Sequence, residues 1–231
     1  MKRLKTWAAA AAIVALSGAA QAALVNRVGG MIYDTTRNIT WLADMSYAYT
    51  SGHTGTGVDA NGQMTWAAAT AWANNLVYGG FSDWRLPTLN PADTTCSIPL
   101  FVNSFGIQWV GTGCTGGELS GLFVTDLGIK PGESVLDQVG DTPEQIANLA
   151  LFSNVANNVY WSGTEYAPNP ASAWFFRSFA GDQDFNDKGY ALNVVAVRPG
   201  DVAASVPEPQ TLALALLALG ATVVARRRRP A

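Results

Sequence analysis

Histidine is almost absent from this 231-residue chain, which carries only His53. That excludes a His-rich metal site, and it would make a Ser-His-Asp triad depend on one residue of the loop Ser51-Gly52-His53-Thr54-Gly55. A solvated loop histidine is the plainer reading. Cysteine is nearly as scarce: Cys96 and Cys114 with a single His make no zinc site. Charge is also thin, with 13% of residues ionisable against roughly 25% in an average domain. Long hydrophobic runs are missing too, since neither apolar segment near the termini reaches the ~20 residues a bilayer span requires. What the chain does have is 48% hydrophobic residues and 8 Trp, which excludes disorder for its bulk and is enough to bury a core.

The charge is unevenly placed. Seven of the 14 basic residues are Lys2, Arg3, Lys5 and Arg226, Arg227, Arg228, Arg229. Residues 23–209 keep 7 basic residues against all 17 acidic ones, a formal −10. A body that acidic repels phosphate backbones, so nucleic acid is excluded as a partner.

Both ends read as addresses. Lys2, Arg3 and Lys5 precede an Ala-rich apolar stretch at 7–16, and Ala20-Gln21-Ala22 supplies a small-x-small cleavage pattern. The expectation is a signal peptide over 1–22 and a mature chain starting at Ala23, with the Sec translocon as partner. An uncleaved anchor helix is the alternative. At the other end, residues 203–231 hold Val206-Pro207-Glu208-Pro209, an apolar run at 211–225 expected to be a transmembrane helix, and the Arg226–Arg229 stop. Fifteen helical residues rise about 22 Å, short of a roughly 30 Å hydrocarbon core. The Arg cluster would stay cytoplasmic and leave the preceding domain on the far side of the membrane.

This tripartite end resembles the PEP-CTERM sorting signal of Gram-negative bacteria. The resemblance implies recognition of Pro-Glu-Pro by an exosortase-type transpeptidase that processes the tail, a bacterial counterpart of the removed GPI tail. A plain C-terminal membrane anchor is the alternative.

Between the signals, 23–202 reads as one domain without repeats or a low-complexity linker. Apolar runs at 31–33 and 39–42 flank Asp34-Thr35-Thr36-Arg37-Asn38 and predict a hairpin. Trp66, Ala69, Ala73 and Leu76 recur at helical spacing after Thr65, predicting a helix to about Val77 that Gly79-Gly80 stops. Trp84-Arg85-Leu86 reads as a short strand. Residues 90–140 read as irregular, apart from a helical piece near 118–126. Thr142-Pro143-Glu144 starts a helix running to about Leu151. Strands follow at 160–162 and 173–179, then a turn at 181–187 and a strand at 190–198. The fold class is α+β, with short antiparallel strands and few helices. Cys96 and Cys114 most simply form one disulfide in an exported protein, closing a loop of about 18 residues worth about 3 kcal/mol.

Several blocks line up with one family. They are Thr40-Trp41-Leu42-Ala43-Asp44, Met64-Thr65-Trp66-Ala67, Gly79-Gly80-Phe81-Ser82-Asp83-Trp84-Arg85-Leu86-Pro87-Thr88, Tyr160-Trp161-Ser162-Gly163-Thr164-Glu165-Tyr166, Ala173-Trp174-Phe175-Phe176 and Ala196-Val197-Arg198-Pro199-Gly200-Asp201. Over about residues 28–201 the chain resembles the Lcl C-terminal domain family, related to the C-type-lectin-like and formylglycine-generating-enzyme superfamily. The resemblance implies a C-type-lectin-like fold and, in one branch, adhesion to sulfated polysaccharides. A −10 body fits a neutral glycan or a matrix protein better than a polyanion. The formylglycine-generating branch implies an oxidoreductase with a reactive cysteine pair, but both cysteines here lie in a Gly-rich insertion.

The candidate ligand-binding residues are Trp161, Glu165, Tyr166 and Trp174, since sugars stack on aromatic faces beside polar groups; strand aromatics are also ordinary core. Asp182, Asp184, Asn186 and Asp187 alternate like calcium-loop ligands, but Asp187 stands where an EF-hand needs Gly and Asn193 where it needs Glu, so a polar hairpin turn is the other reading. Asp59, Asn61 and Gly62 make a weaker cluster that reads as a turn. Asp83, Arg85 and Arg198 inside apolar blocks read as buried ion pairs. Together these point to an exported, surface-sorted, non-enzymatic binding or adhesion domain of the exopolysaccharide or biofilm matrix, with no catalytic residue, and with calcium as the one cofactor in view. A purely structural surface protein is the alternative.

Overall fold

The computed structural model describes residues 23–202; both sorting segments, including the expected apolar helix at 211–225, lie outside them. Nine strands form two antiparallel sheets, and helices are few and short, so the fold is mostly β and fits the α+β expectation. The first sheet has the order β1-β2-β3-β9 and is made of β1 (Leu24–Arg27), β2 (Met31–Asp34), β3 (Ile39–Leu42) and β9 (Val197–Pro199). The second has the order β4-β5-β8-β7-β6, from β4 (Ile98–Val102), β5 (Gly106–Thr112), β6 (Val159–Glu165), β7 (Ser172–Arg177) and β8 (Asp182–Asp187). Among the described residues no helix is long and apolar enough to cross a membrane.

The expected first hairpin forms, with Asp34 opposite Ile39. Asp34 shapes its turn by accepting hydrogen bonds from the Thr36 and Arg37 backbone N–H groups, and Asn38 takes the left-handed conformation at φ 53°. The helices are α1 (Tyr47–Thr50), α2 (Trp66–Asn75), α3 (Glu118–Ser120), which continues into one π turn (Gly121–Asp126), and α4 (Pro143–Leu149). In α2 the helix ends at Asn75 rather than Val77, because Leu76 is already extended. Gly79 and Gly80 instead make a separate tight turn bridging Tyr78 to Phe81. Thr142 and Gln145 close a reciprocal capping box at the start of α4.

Two expectations fail in instructive ways. Residues 90–140 contain the β4–β5 hairpin, whose uncharged and poorly alternating sequence gave no strand signal. The turn placed at 181–187 is strand β8, since Ser178-Phe179-Ala180-Gly181 make the turn and Arg177 pairs with Asp182. Gly181 at φ 68° supplies the left-handed residue. Of the strand expected at 190–198 only the end joins a ladder as β9; Leu192 and Asn193 make isolated bridges.

Strand β7 is buried on both faces. Trp174 and Phe176 point into a core with Trp41, Phe123 and Tyr160. Their neighbours Ala173 and Phe175 point into another with Trp72, Trp84 and Trp161. Strand alternation therefore sorts adjacent aromatics into two cores rather than into a core and a surface.

Candidate functional site

Burial removes most of the expected aromatic platform. Trp161 and Trp174 are both 0% exposed, and they sit in different cores. Trp161 donates its indole N–H to the Met64 carbonyl at 2.9 Å, and Tyr166 is stacked on Phe185 with ring centroids 3.6 Å apart. Glu165 is exposed but held by Lys188 at 3.1 Å, and the same ammonium lies 4.2 Å from the Trp66 ring. These four residues do not converge on one surface. Trp161, Tyr166 and Trp174 are core and Glu165 is a brace, because the rings are buried and the carboxylate is paired.

The four candidate calcium ligands lie on strand β8. Asp182, Asp184 and Asn186 share one face of β8 while Asp187 points to the other, so their oxygens are spread along a strand and not wrapped in a loop. Arg177 already supplies the cation: its guanidinium forks onto the Asp182 carboxylate and lies 3.6 Å from Asp184. Burial pushes the Asp184 carboxyl up, against the pull of Arg177. Asp187 accepts from the Gly189 N–H and caps its own turn. Asp59 does the same for Asn61 and Gln63.

Cys96 and Cys114 are joined by a disulfide. Beside it Asp93 accepts from the Thr95, Thr115 and Gly116 N–H groups and the Thr95 hydroxyl. Burial would raise this carboxyl, but those donors hold it below its ordinary value. The charged residues inside the apolar blocks form forked pairs. Arg198 grips Asp83 at 2.8 and 3.0 Å, and Arg85 grips Glu118 at 2.7 Å through both nitrogens. Arg198 is 9% exposed, while Asp83 keeps half its side chain in water.

Two concavities stand out, and neither was singled out from sequence. The larger is a groove of about 440 Å³ between the last turns of α2 and the 51–58 loop. Tyr47, His53, Thr54, Thr56, Trp72 and Asn75 give it an aromatic floor, hydroxyls, an imidazole and an amide. No Asp, Glu, Lys or Arg lines it. The signal available in the sequence was the run of Ser, Thr and Gly at 51–57 beside a helix with two Trp; only the tertiary fold shows that the two face each other. The smaller pocket, about 290 Å³, lies where Ala23 and Thr36 meet the π turn and α4. Elsewhere, the β4–β5 hairpin leaves Phe101 81% exposed, with Ile98, Phe105 and Ile107 also in solvent.

Residues 205–229 match the family model of the PEP-CTERM protein-sorting motif. No curated protein and no solved structure matches the chain significantly. The matched tail contains both the Val206-Pro207-Glu208-Pro209 motif and the Arg226–Arg229 cluster. It marks an exported protein of the Gram-negative type, sorted to the surface or membrane and processed by an exosortase.

Proposed function

We propose that the chain is a non-enzymatic binding domain, exported after cleavage behind Ala22 and sorted by its tail, which contacts a neutral polysaccharide of the surface matrix through the groove between α2 and the 51–58 loop. The single observation that carries the ligand class is the groove's lining: hydroxyl, amide, imidazole and aromatic groups without a formal charge, on a body of −10. A neutral sugar presents hydroxyls to the polar rim and C–H faces to the rings, and loses nothing to the acidic field. A C-type-lectin-like architecture is compatible with two short-stranded sheets and few helices, and the sequence blocks at 79–88 and 196–201 support it. The disulfide spends both cysteines on closing the 96–114 segment, which argues for a structural role over an oxidoreductase one.

A glycan array with the chain from Ala23 onward, run with calcium and then with a chelator, tests the reading. Saturable binding to a neutral glycan that survives chelation is expected. A His53→Ala/Asn75→Ala double variant, which leaves the core untouched, should bind about tenfold more weakly, the value of roughly one net hydrogen bond. Absence of binding in both conditions would leave a purely structural surface protein as the function.

A further inference from the structure

Asp126, which lines the smaller pocket, belongs to a buried cluster in which one arginine meets two carboxylates. Arg37 bonds Asp34 at 2.6 Å and Asp126 at 2.5 Å, both through Nη1. Asp34 is 0% exposed and Asp126 5%. Two buried carboxylates against one guanidinium leave a net negative charge in the interior, where an uncompensated charge is costly. A Cβ on Gly121 would lie 2.2 Å from Arg37 Nη2, so the π turn packs directly over the guanidinium. Glu144, in the first turn of α4, adds a further negative charge facing Asp126.

The other wall of this pocket is Ala23. Its carbonyl is fixed by the Thr35 N–H at 2.8 Å and the Thr35 hydroxyl at 3.1 Å, so the backbone there is held in place at the mouth of the acidic cluster. Ala23 is also the residue behind the small-x-small pattern at 20–22. We infer that the pocket is a primary-ammonium site, and that its ligand is the chain's own α-amino group once Ala23 is the first residue. The inference rests on the cleavage reading above. The new ammonium adds a second cation to two buried carboxylates and one guanidinium, with Glu144 at the rim, so the folded domain is stabilised by the cut that creates it. Burial first, then the neighbouring Asp34 and Glu144 charges, push the Asp126 carboxyl up to about 6 despite Arg37, the behaviour of an acid short of a positive partner.

The test is the titration of the α-amino group. The [15N]-alanine-labelled chain from Ala23 onward is released from a cleavable N-terminal fusion, and the pKa of its α-amine is followed by NMR. A value at least one unit above that of the same labelled amine in a short peptide beginning Ala-Leu-Val, a tenfold gain in proton affinity, is expected; Asp126→Asn should return it to the peptide value. A peptide-like value in the parent chain overturns the inference, as does a raised value that Asp126→Asn leaves unchanged. Should Asp126→Asn not fold, Glu144→Gln at an exposed position serves instead, with a partial drop expected and no drop overturning the site as drawn. Mass spectrometry of the protein recovered from the exporting cell separately gives its first residue. A start elsewhere would overturn the cleavage reading and the physiological ligand, while the titration still judges the pocket's chemistry.

Discussion

Arg85 and Arg37 do the same job in two different ways. Each reaches from the first half of the chain to an acidic residue of the segment Glu118–Asp126, 33 and 89 positions away, Arg85 from the segment bridged to β9 and Arg37 from the β2–β3 turn. Arg85 meets one carboxylate, Glu118, which also accepts from the Thr88 N–H; the pair is balanced and partly open to water. Arg37 meets two carboxylates and is closed in by the π turn. The consequence shows in the acids. Burial would raise Glu118, but Arg85 and Thr88 hold it below its ordinary value, whereas Asp126 is pushed up to about 6 by burial despite Arg37. A matched pair is a clasp; a mismatched one keeps room for another cation.

The largest way to break this contrast is Arg37→Met, which leaves Asp34 and Asp126 buried without their guanidinium. It should cost about 3–5 kcal/mol at pH 7 in urea unfolding, the usual penalty for orphaning a buried charge. Removing the staple with Cys96→Ser/Cys114→Ser should cost about 3 kcal/mol by the loop-entropy estimate. If the Glu118 clasp depends on the stapled segment leading into it, Arg85→Met will then cost less in that background than in the parent. On its own Arg85→Met should cost about 2 kcal/mol, less than its counterpart because the clasp is partly solvated.

The smallest effect is the pH dependence, and its sign differs between the two sites. Asp126 is raised in the folded state from 3.8 to about 6, so the folded chain holds more protons than the unfolded one between those values. Stability should therefore rise by about 1 kcal/mol as pH falls from 7 to 5 in a chain whose Ala23 nitrogen is acylated, and by less in one whose Ala23 ammonium is free. Glu118, lowered in the folded state from 4.5, stabilises fully above that value, and its contribution is lost as pH falls through the lowered one. Thermal unfolding across pH 3–7 with and without N-terminal acetylation checks both arms.

Local chemistry made part of this molecule legible in its sequence. The Asp34–Asn38 turn, the Thr142-Pro143 helix start and the apolar blocks around Trp41, Trp84 and Trp161 carry signals within a few residues of the element they specify. The β4–β5 hairpin carried none, because its residues are exposed or half-buried, Val110 apart, and its pairing is not written in an alternating pattern. The aromatic platform was misjudged for a related reason. Alternation in β7 shows that Trp174 and Phe175 face opposite ways, but not that each face is covered by a different core.

By itself the sequence determined where the chain is sent, the acidity of its body and the position of its hairpin turns and caps, since each is read within a short window of residues. Only the tertiary structure decided which aromatics lie inside, that Arg177 sits between Asp182 and Asp184, and that Ala23 and Asp126 line one pocket across about a hundred residues of chain. Burial and charge balance are sums over neighbours brought together by folding, and no window of the sequence contains them.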